Sequence, residues 1–307
     1  MNPFRKLLNS FMSRPTGLLL VSIAACLKNG ALLSREDESY VLKRGNRQIR
    51  LAKEHLIYAI SLAQHFDCYF SQVLPGDNQG RLEVDYSRPR VQTLANGLKF
   101  ELASFPEEAS ALDAYFRFHR PKLGELVFDV GAYCGVSAFA FSQAVGPTGR
   151  VIAFEPDPLN VEILRRNIVR HQLSNVTVSQ IALSDRNGEA AFHSDGNTGS
   201  SVISANDRPP ASANTSVRIA TLEQACAEFG VPSFMKIDAE GSEIEILSGG
   251  KEYLRSHPMH MVIDTDHIRD GCLTNARVEE ILRSVGFQTI SEPDSGGFMT
   301  TWATPGQ

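Results

Sequence analysis

The stretch LVFDVGAYCG at residues 126–135 decides the fold of this 307-residue chain. Its first five residues are apolar apart from Asp129, which predicts a strand that is buried on both faces of a sheet. Gly131 and Gly135 then permit a tight turn in which the backbone can approach a ligand closely. Residues 136–145 are largely apolar and predict a helix whose amino terminus points into this turn. The stretch therefore predicts a strand, a ligand-binding turn and a helix in direct succession.

From this stretch to the end of the sequence, strands and helices alternate. The sequence predicts further strands at 151–154, 176–182, 217–220, 233–237 and 260–263, helices at 158–171, 222–229, 242–255 and 277–285, and a closing hairpin of strands at 287–291 and 298–303. Such alternation is typical of a parallel sheet with helices on both faces. We expect an α/β fold with a doubly wound, mostly parallel, Rossmann-like sheet and an antiparallel hairpin at its edge.

An insertion at residues 185–216 interrupts the alternation. It is rich in Ser, Asn, Asp, Gly and Pro, with Gly196, Gly199 and the pair Ser200-Ser201 near its middle, and predicts no regular element. Long irregular loops beside strand ends are often functional. We expect this insertion to form a mobile lid or wall over the acceptor site.

Residues 1–120 differ from the rest of the chain in pattern and in charge. They predict a hairpin at 40–52, helices at 53–73 and 107–119, and strands at 81–86 and 98–102. They contain 16 Lys and Arg against 12 Asp and Glu, whereas residues 121–307 contain 14 against 23. We expect an α+β region at 1–120 that selects an acceptor, and a cofactor-binding domain at 121–307.

Two interpretations of residues 1–27 stay open. The first 12 residues predict a basic amphipathic helix, and the apolar run at 18–27 is far shorter than the roughly 20 residues that span a bilayer. The segment either attaches peripherally to a membrane or forms a helix and a strand docked on the protein, which we favour. The net charge of −5 argues against a nucleic-acid partner. Five scattered cysteines without a C-x-x-C pair predict a reduced, cytoplasmic protein.

Polar and small residues stand at the predicted strand ends, where open α/β sheets bind ligands. Glu155 follows the second strand, and an acidic residue there is suited to hold a ribose diol. Ala182 ends the third strand and would line an adenine ring. Asp238 ends the fourth strand, and Glu240 follows at a helix start. The set predicts a ligand that contains adenosine.

The glycine spacing indicates which adenosine ligand is bound. A dinucleotide site needs G-x-G-x-x-G, whereas this chain has G-x-x-x-G at residues 131–135 and no third glycine. The looser turn and the nearby Asp129 better suit S-adenosylmethionine, which carries an ammonium and no phosphate. We expect Ala132, Tyr133 and Pro156 to line the same cofactor site.

Four motifs in order resemble FkbM-type methyltransferases: VFDVGA at 127–132, VIAFEPD at 151–157, NVT at 175–177 and KIDAEGSE at 236–243. The resemblance covers about residues 120–305. It implies a class I, S-adenosylmethionine-dependent methyltransferase that acts on a hydroxyl of a sugar, glycolipid or natural product. By similarity, the cofactor positions are Asp129, Gly131, Gly135 and Glu155. Around residues 260–265, where many relatives have a Glu, this chain has Asp264-Thr265-Asp266-His267.

Three residues are candidates for the chemical step. A hydroxyl acceptor must lose its proton, and Asp238 at a strand end is our first candidate for the base. Asp238 equally suits binding of the methionine ammonium or capping of the following helix. Glu240 is a second candidate, with a helix-dipole role as its alternative. His267 is expected to contact the substrate.

The run D-x-D-H at residues 264–267 offers ligand types suited to a divalent cation. Neighbours in an extended segment point to opposite sides, so only Asp264 and Asp266 would share a face. We therefore expect no metal site there.

Three other functions fit the sequence less well. An N-methyltransferase on the same scaffold would need no strong base. A dinucleotide-dependent oxidoreductase would bind NAD instead of S-adenosylhomocysteine. A non-catalytic cofactor-binding subunit is disfavoured by the intact polar strand ends.

Overall fold

A computed structural model of the chain describes residues 15–106, 109–194, 201–202, 215–269, 271–294 and 297–306. Its contacts divide the chain into two compact units, residues 1–106 and residues 107–307. The predicted basic helix within the first 12 residues, as well as Gly196, Gly199 and Ser200 of the insertion, lie outside the described residues.

The described part of the first unit, residues 15–106, is an α+β structure. Its helices are α1 (Pro15–Lys28), a 3-10 helix (Lys53–Tyr58), α2 (Ala59–Gln64) and α3 (Phe66–Ser71), and its strands are β1 (Leu32–Glu36), β2 (Ser39–Arg44), β3 (Arg47–Ala52), β4 (Gly76–Asn78), β5 (Arg81–Tyr86), β6 (Arg90–Thr93) and β7 (Lys99–Leu102). A five-stranded sheet has the order β1-β2-β3-β5-β4, and β6 pairs with β7. Phe66, Tyr86 and Phe100 are fully buried in this unit.

The second unit contains the remaining described elements. Its helices are α4 (Ala109–Tyr115), α5 (Val136–Val145), α6 (Pro158–Arg170), α7 (Leu222–Phe229), α8 (Glu243–Gly249), α9 (Lys251–Ser256) and α10 (Asn275–Arg283). Its strands are β8 (Leu126–Val130), β9 (Arg150–Phe154), β10 (Val176–Ser179), β11 (Ala182–Leu183), β12 (Gly188–His193), β13 (Ser201–Val202), β14 (Thr215–Ala220), β15 (Phe234–Ile237), β16 (His260–Asp264), β17 (Ile268–Arg269), β18 (Cys272–Leu273), β19 (Phe287–Pro293) and β20 (Met299–Pro305).

A seven-stranded sheet forms the centre of the second unit, in the order β10-β9-β8-β15-β16-β20-β19. The first five strands of this order are parallel, and β20 runs antiparallel to both β16 and β19. Alternate residues of β8 pack on opposite faces of the sheet. Val127 joins an apolar cluster with Phe141 of α5, while Phe128 joins a second cluster with Leu247 of α8. The α/β, doubly wound class with a closing antiparallel hairpin is confirmed.

Several predicted elements have different limits in the structure. The strand predicted at 176–182 leaves the central sheet after Ser179, and Ala182 pairs with β14 in a separate four-stranded sheet. The insertion predicted to be irregular contains β12, which pairs antiparallel with β14. The helix predicted at 242–255 is interrupted at Gly250, and the helix predicted at 53–73 is three short helices.

The amino-terminal run predicted as a docked helix and strand is instead one helix over residues 15–28, on which Leu20 and Leu27 are exposed. Among the helices of the described residues, none has the length and apolar character required to cross a bilayer. Peripheral membrane contact of residues 1–27 stays a prediction.

The division between the two units falls between residues 106 and 107 of the chain, whereas the sequence predicted a boundary at 120/121. Helix α4 accounts for the difference. Ala114 and Tyr115 are buried in the core of the second unit, and the indole N–H of Trp302 donates a hydrogen bond of 2.8 Å to the carbonyl of Ala114.

Candidate active site

The central sheet changes winding direction at β8, because β9 and β10 lie on one side of it and β15 and β16 on the other. In open α/β sheets, ligands bind beyond the carboxyl ends of the strands at such a point. Val130 is opposite both Phe154 and Ile237, and Ile237 is opposite Ile263. The residues that follow these four strand positions, Gly131, Glu155, Asp238 and Asp264, therefore stand at one edge of the sheet.

The turn at residues 131–135 is close to the end of β15. Gly131, Tyr133 and Gly135 have φ values of 75°, 46° and 89°. A Cβ atom at Gly131 would overlap the carbonyl oxygen of Asp238, so that only glycine fits this backbone. The N–H groups of Gly131 and Ala132 both donate to the carbonyl of Phe154, which ties the turn to β9.

Glu155 is buried at the end of β9 and accepts hydrogen bonds from two backbone N–H groups. The N–H of Tyr133 donates to Oε2 and the N–H of Asp157 donates to Oε1, and both hydrogen bonds are 2.9 Å long. Burial raises the pKa of Glu155 to about 7, although these hydrogen bonds oppose the shift. Pro156 follows and is half-buried. Asp157 then caps α6, with its side chain accepting from the N–H groups of residues 159 and 160.

A buried lysine connects two of the strand-end carboxylates. Lys236 of β15 is fully buried, and its Nζ donates a 2.7 Å hydrogen bond to the carbonyl of Gly131. The same Nζ lies 3.6 Å from Asp129 Oδ1 and 3.6 Å from Asp238 Oδ2. Asp129 is itself fully buried and accepts a 2.9 Å hydrogen bond from Ser137. Burial raises the pKa of Asp129, with Lys236 acting in the opposite direction.

On the other side of Asp238, a histidine lies among carboxylates. His267 Nε2 is 3.4 Å from Glu240 Oε2, and His267 Nδ1 is 3.2 Å from Glu243 Oε1. One ligand-type atom each of Asp238, Glu240 and His267 lies within 4.8 Å of the other two. The structure therefore brings together the three residues that the sequence singled out for chemistry.

Burial and charge shift the pKa values of this group. Burial raises the pKa of Glu240 to about 7, against the opposing contact with His267. Burial alone would lower the pKa of His267, but the charges of Glu243 and Glu240 outweigh it and raise this pKa well above its usual value. Burial and the charges of Asp238 and Asp266 raise the pKa of Asp264. Several groups that can exchange a proton thus lie together at the carboxyl ends of the strands.

With this geometry in place, comparisons with known proteins are decisive about the family. The model of the methyltransferase FkbM domain matches residues 129–289, which is more than half of the chain. The chain belongs to the FkbM methyltransferase family. It is accordingly an S-adenosylmethionine-dependent methyltransferase.

Two curated relatives of this FkbM-family chain have similar levels of identity. The 2-O-methyltransferase NoeI of Sinorhizobium fredii (strain NBRC 101917 / NGR234) is 28% identical over 193 residues, covering 56% of this chain and 78% of that protein. The 31-O-demethyl-FK506 methyltransferase FkbM of Streptomyces tacrolimicus is 29% identical over 202 residues, covering 56% and 75%. The crystal structure of methyltransferase FkbM from Methylobacillus flagellatus KT aligns with a TM-score of 0.47 at 20% identity, covering 62% of this chain and 47% of that one.

At the end of β9, this FkbM-family site fits a ligand that contains a ribose, whereas Asp129 faces Lys236. Glu155 provides a buried carboxylate at the end of β9, and Asp129 Oδ1 is a buried oxygen that accepts no hydrogen bond from the described residues. Ala182 is buried too, but on β11 of the separate sheet.

Sequence reasoning did not single out two residues that contact this FkbM-family site, Lys236 and Glu243. Lys236 is the single charged residue in the apolar strand Phe234–Ile237, and a charge in a strand that is buried on both faces requires a partner. That pattern was visible in the sequence. Glu243 gave no comparable indication, because acidic residues are common in the first turn of a helix.

Proposed function

We propose that this methyltransferase transfers the methyl group of S-adenosylmethionine to a hydroxyl oxygen of a small-molecule or glycan acceptor. The observation that carries the proposal is the meeting of Asp238, Glu240 and His267 within 4.8 Å at the ends of β15 and β16, next to the switch point of the sheet at β8. A hydroxyl acceptor must lose a proton, which a neutral amine acceptor need not do before it attacks. The names of both curated relatives specify O-methylation, which supports the same reaction class.

The cofactor side of the site lies at the ends of β8 and β9. Glu155 would accept hydrogen bonds from the ribose hydroxyls, with Pro156 beside it, and the turn at 131–135 would lie against the methionine part, with Ala132 and Tyr133 in contact. Ala182 would border the adenine. S-adenosylmethionine supplies an electrophilic methyl group when bound.

Asp129 contributes to the cofactor side indirectly in this proposal. Its carboxylate is fully buried and holds Lys236, which in turn holds the carbonyl of Gly131. The pair therefore fixes the shape of the turn at 131–135. A buried charge pair without its partner is costly, so we expect both residues to be required together.

The acceptor side lies at the ends of β15 and β16. The cluster of Asp238, Glu240 and His267 would bind the acceptor hydroxyl and favour loss of its proton. Correct alignment of the acceptor oxygen with the methyl group contributes the larger part of the acceleration, up to about 7–11 kcal/mol. A positioned base typically adds about 10²–10⁴-fold.

We assign selection of the acceptor to residues 1–106. The family match begins at residue 129, so residues 1–106 lie outside the part of the chain that the family model covers. The first unit contains a cavity of about 330 Å³ whose lining includes the polar residues Asn78, Glu83, Asp85 and Gln92. A polar cavity suits a hydroxylated acceptor better than an apolar one.

The test is a set of matched acceptors offered with methyl-labelled S-adenosylmethionine. Each pair differs in one position, with a hydroxyl in one compound and an amine in the other, and tandem mass spectrometry locates the label. We expect the label on oxygen. The Asp238→Asn variant should transfer at least about 100-fold more slowly while S-adenosylhomocysteine binds normally. Label on nitrogen, with a fully active Asp238→Asn variant, would favour N-methylation instead.

A further inference from the structure

We infer that Asp238, Glu240 and His267 bind a divalent metal cation. Their ligand-type atoms, two carboxylate oxygens and one imidazole nitrogen, lie within 4.8 Å of one another at the ends of β15 and β16. A cation placed between them would be contacted by all three. The sequence pattern D-x-D-H had suggested a different set of ligands, and Asp238 and Glu240 join His267 only through the pairing of β15 with β16.

The orientation of His267 fits this role. Its Nδ1 lies 3.2 Å from Glu243 Oε1, so that Nε2 points to the side of Glu240 and Asp266. Histidines that bind metals commonly direct their second ring nitrogen at a carboxylate in this way. Glu243 is held in place because its Oε1 also accepts hydrogen bonds from the N–H groups of Ala239 and Gly241.

A second, independent observation is the state of Glu243. Its side chain is 0% exposed, and Oε2 accepts no hydrogen bond from the described residues. A buried carboxylate oxygen without a donor is costly unless a positive charge is nearby. Oε1 of the same carboxylate lies 3.2 Å from His267 Nδ1 without a hydrogen bond between them, and a cation on Nε2 would strengthen the attraction between the ring and the carboxylate.

The charge balance around the cluster favours a cation as well. Three carboxylates lie close to the ring of His267: Glu240 Oε2 and Asp266 Oδ1 are 3.4 and 3.9 Å from Nε2, and Glu243 Oε1 is 3.2 Å from Nδ1. Lys236 lies 3.6 Å from Asp238 but is shared with Asp129, and Arg269 pairs with Glu245 outside the cluster. Mixed oxygen and imidazole ligands suit Mn²⁺, and oxygen-rich sites also suit Mg²⁺.

The role of the cation rests on the proposed function. A cation at the cluster would bind the acceptor hydroxyl and lower its pKa. The three residues would then act on the acceptor through the cation and not as the base themselves. The O–H bond would break, the proton would leave to water, and the oxygen would take the methyl group while the sulfonium becomes a neutral thioether. Three protein ligands leave coordination positions open for the acceptor.

The experiment measures Mn²⁺ binding to the full chain after removal of metals with EDTA. Free Mn²⁺ is followed by electron paramagnetic resonance during titration, and thermal unfolding is recorded with and without Mn²⁺. We expect one saturable site whose occupation raises the melting temperature. Glu240→Gln and His267→Gln should each weaken binding by about 10-fold or more. Glu223→Gln, which removes an exposed charge on α7, is the matched control and should bind as the wild type.

The variants remain interpretable because Glu240→Gln keeps the size of the side chain and removes one of several crowded negative charges. Normal S-adenosylhomocysteine binding verifies folding. Absence of a saturable site, or equal binding by the wild type and Glu240→Gln, overturns the metal site. Failure of O-methylation is a separate result: a chain that binds Mn²⁺ as expected but leaves all hydroxyl acceptors unmethylated retains the metal site and refutes the acceptor class. Full O-methylation by an EDTA-treated chain that binds no Mn²⁺ refutes the metal site and retains the acceptor class.

Discussion

Gly131 is the residue at which the turn after β8 touches the end of β15. We expect Gly131→Ala to lose S-adenosylhomocysteine binding and to unfold at lower temperature, because the new methyl group would overlap the carbonyl oxygen of Asp238. Gly286→Ala is a matched control, since it has a φ of 96° but no atom within 4 Å of the added Cβ. The control should lose only about 1–2 kcal/mol, the cost of a positive φ for a residue with a side chain. Equal losses in the two variants would contradict the close approach at Gly131.

Glu155 predicts a pH dependence of cofactor binding. The ionised carboxylate accepts hydrogen bonds, and burial raises its pKa to about 7, so the competent fraction falls as the pH drops below 7. Affinity for S-adenosylhomocysteine should then fall by up to about tenfold per pH unit. Glu155→Gln should bind about 1.5–3 kcal/mol more weakly and lose this pH dependence, because an amide turns a donor toward the N–H of Tyr133 or Asp157.

Calorimetric titration between pH 5.5 and 8.5 measures both effects, and Glu189→Gln on the exposed side of β12 is the control. A flat profile in the wild type would refute the role of Glu155.

Individual site residues were predictable to different degrees. Glu155 and Asp238 follow apolar strands, so that their place at the sheet edge follows from the order of elements alone. The contacts of His267 were not predictable in this way. Its approach to Glu240 depends on which strands become neighbours, a property of the whole sheet that a local pattern does not contain.

At the scale of elements, two stacked histidines predict that the stability of the fold is sensitive to acid. His260 begins β16, and His119 precedes β8. The rings of His119 and His260 lie 3.5 Å apart, nearly parallel. Burial lowers the pKa of both, and the charge of His119 lowers that of His260 further. The unfolded chain therefore binds more protons than the folded chain below about pH 6.5, and stability should fall as the pH falls through this range.

His260→Phe keeps an aromatic ring in the stack and should reduce the loss of melting temperature between pH 7.5 and 5. His257→Phe, at a histidine stacked on Tyr253, is the control and should behave as the wild type. If His260→Phe were as acid-sensitive as the wild type, the stack would not be the cause.

The elements themselves were predictable where an apolar run is bounded by turn residues. The limits predicted for β8, α5 and α7 agree with the structure. The strand predicted at 176–182 was wrong in its second half, because Ala182 finds its partner in β14, almost 40 residues later. Pairing over such a distance leaves no periodic pattern in either segment.

At the scale of the whole molecule, the division at residue 107 predicts how far the chain can be shortened. A chain that begins at Glu107 should fold and bind S-adenosylhomocysteine with near-normal affinity, yet lose transfer to the native acceptor. A chain that begins at Lys122 should be much less stable, because it lacks buried Tyr115 and leaves the indole N–H of Trp302 without its acceptor.

Melting temperatures and calorimetric titrations of the two shortened chains and the full chain test this boundary. Equal stability of both shortened chains would show that α4 is dispensable. Full transfer activity of the chain from Glu107 would refute selection of the acceptor by the first unit. The sequence placed the boundary at Pro121 because the pattern changes there, whereas the contact of α4 with Trp302 joins residues far apart in the chain.

The short hairpin of β17 and β18 follows His267, and the N–H of Thr274 at its end donates a 3.0 Å hydrogen bond to the carbonyl of His267. Cys272 of β18 is exposed, whereas Cys26, Cys134 and Cys226 are buried and Cys68 is half-buried. A maleimide dye under mild conditions should therefore react first at Cys272. The native chain thus offers an attachment point for a fluorophore on the hairpin that follows His267, and changes in its emission would report arrival and departure of small molecules in real time without any engineered thiol.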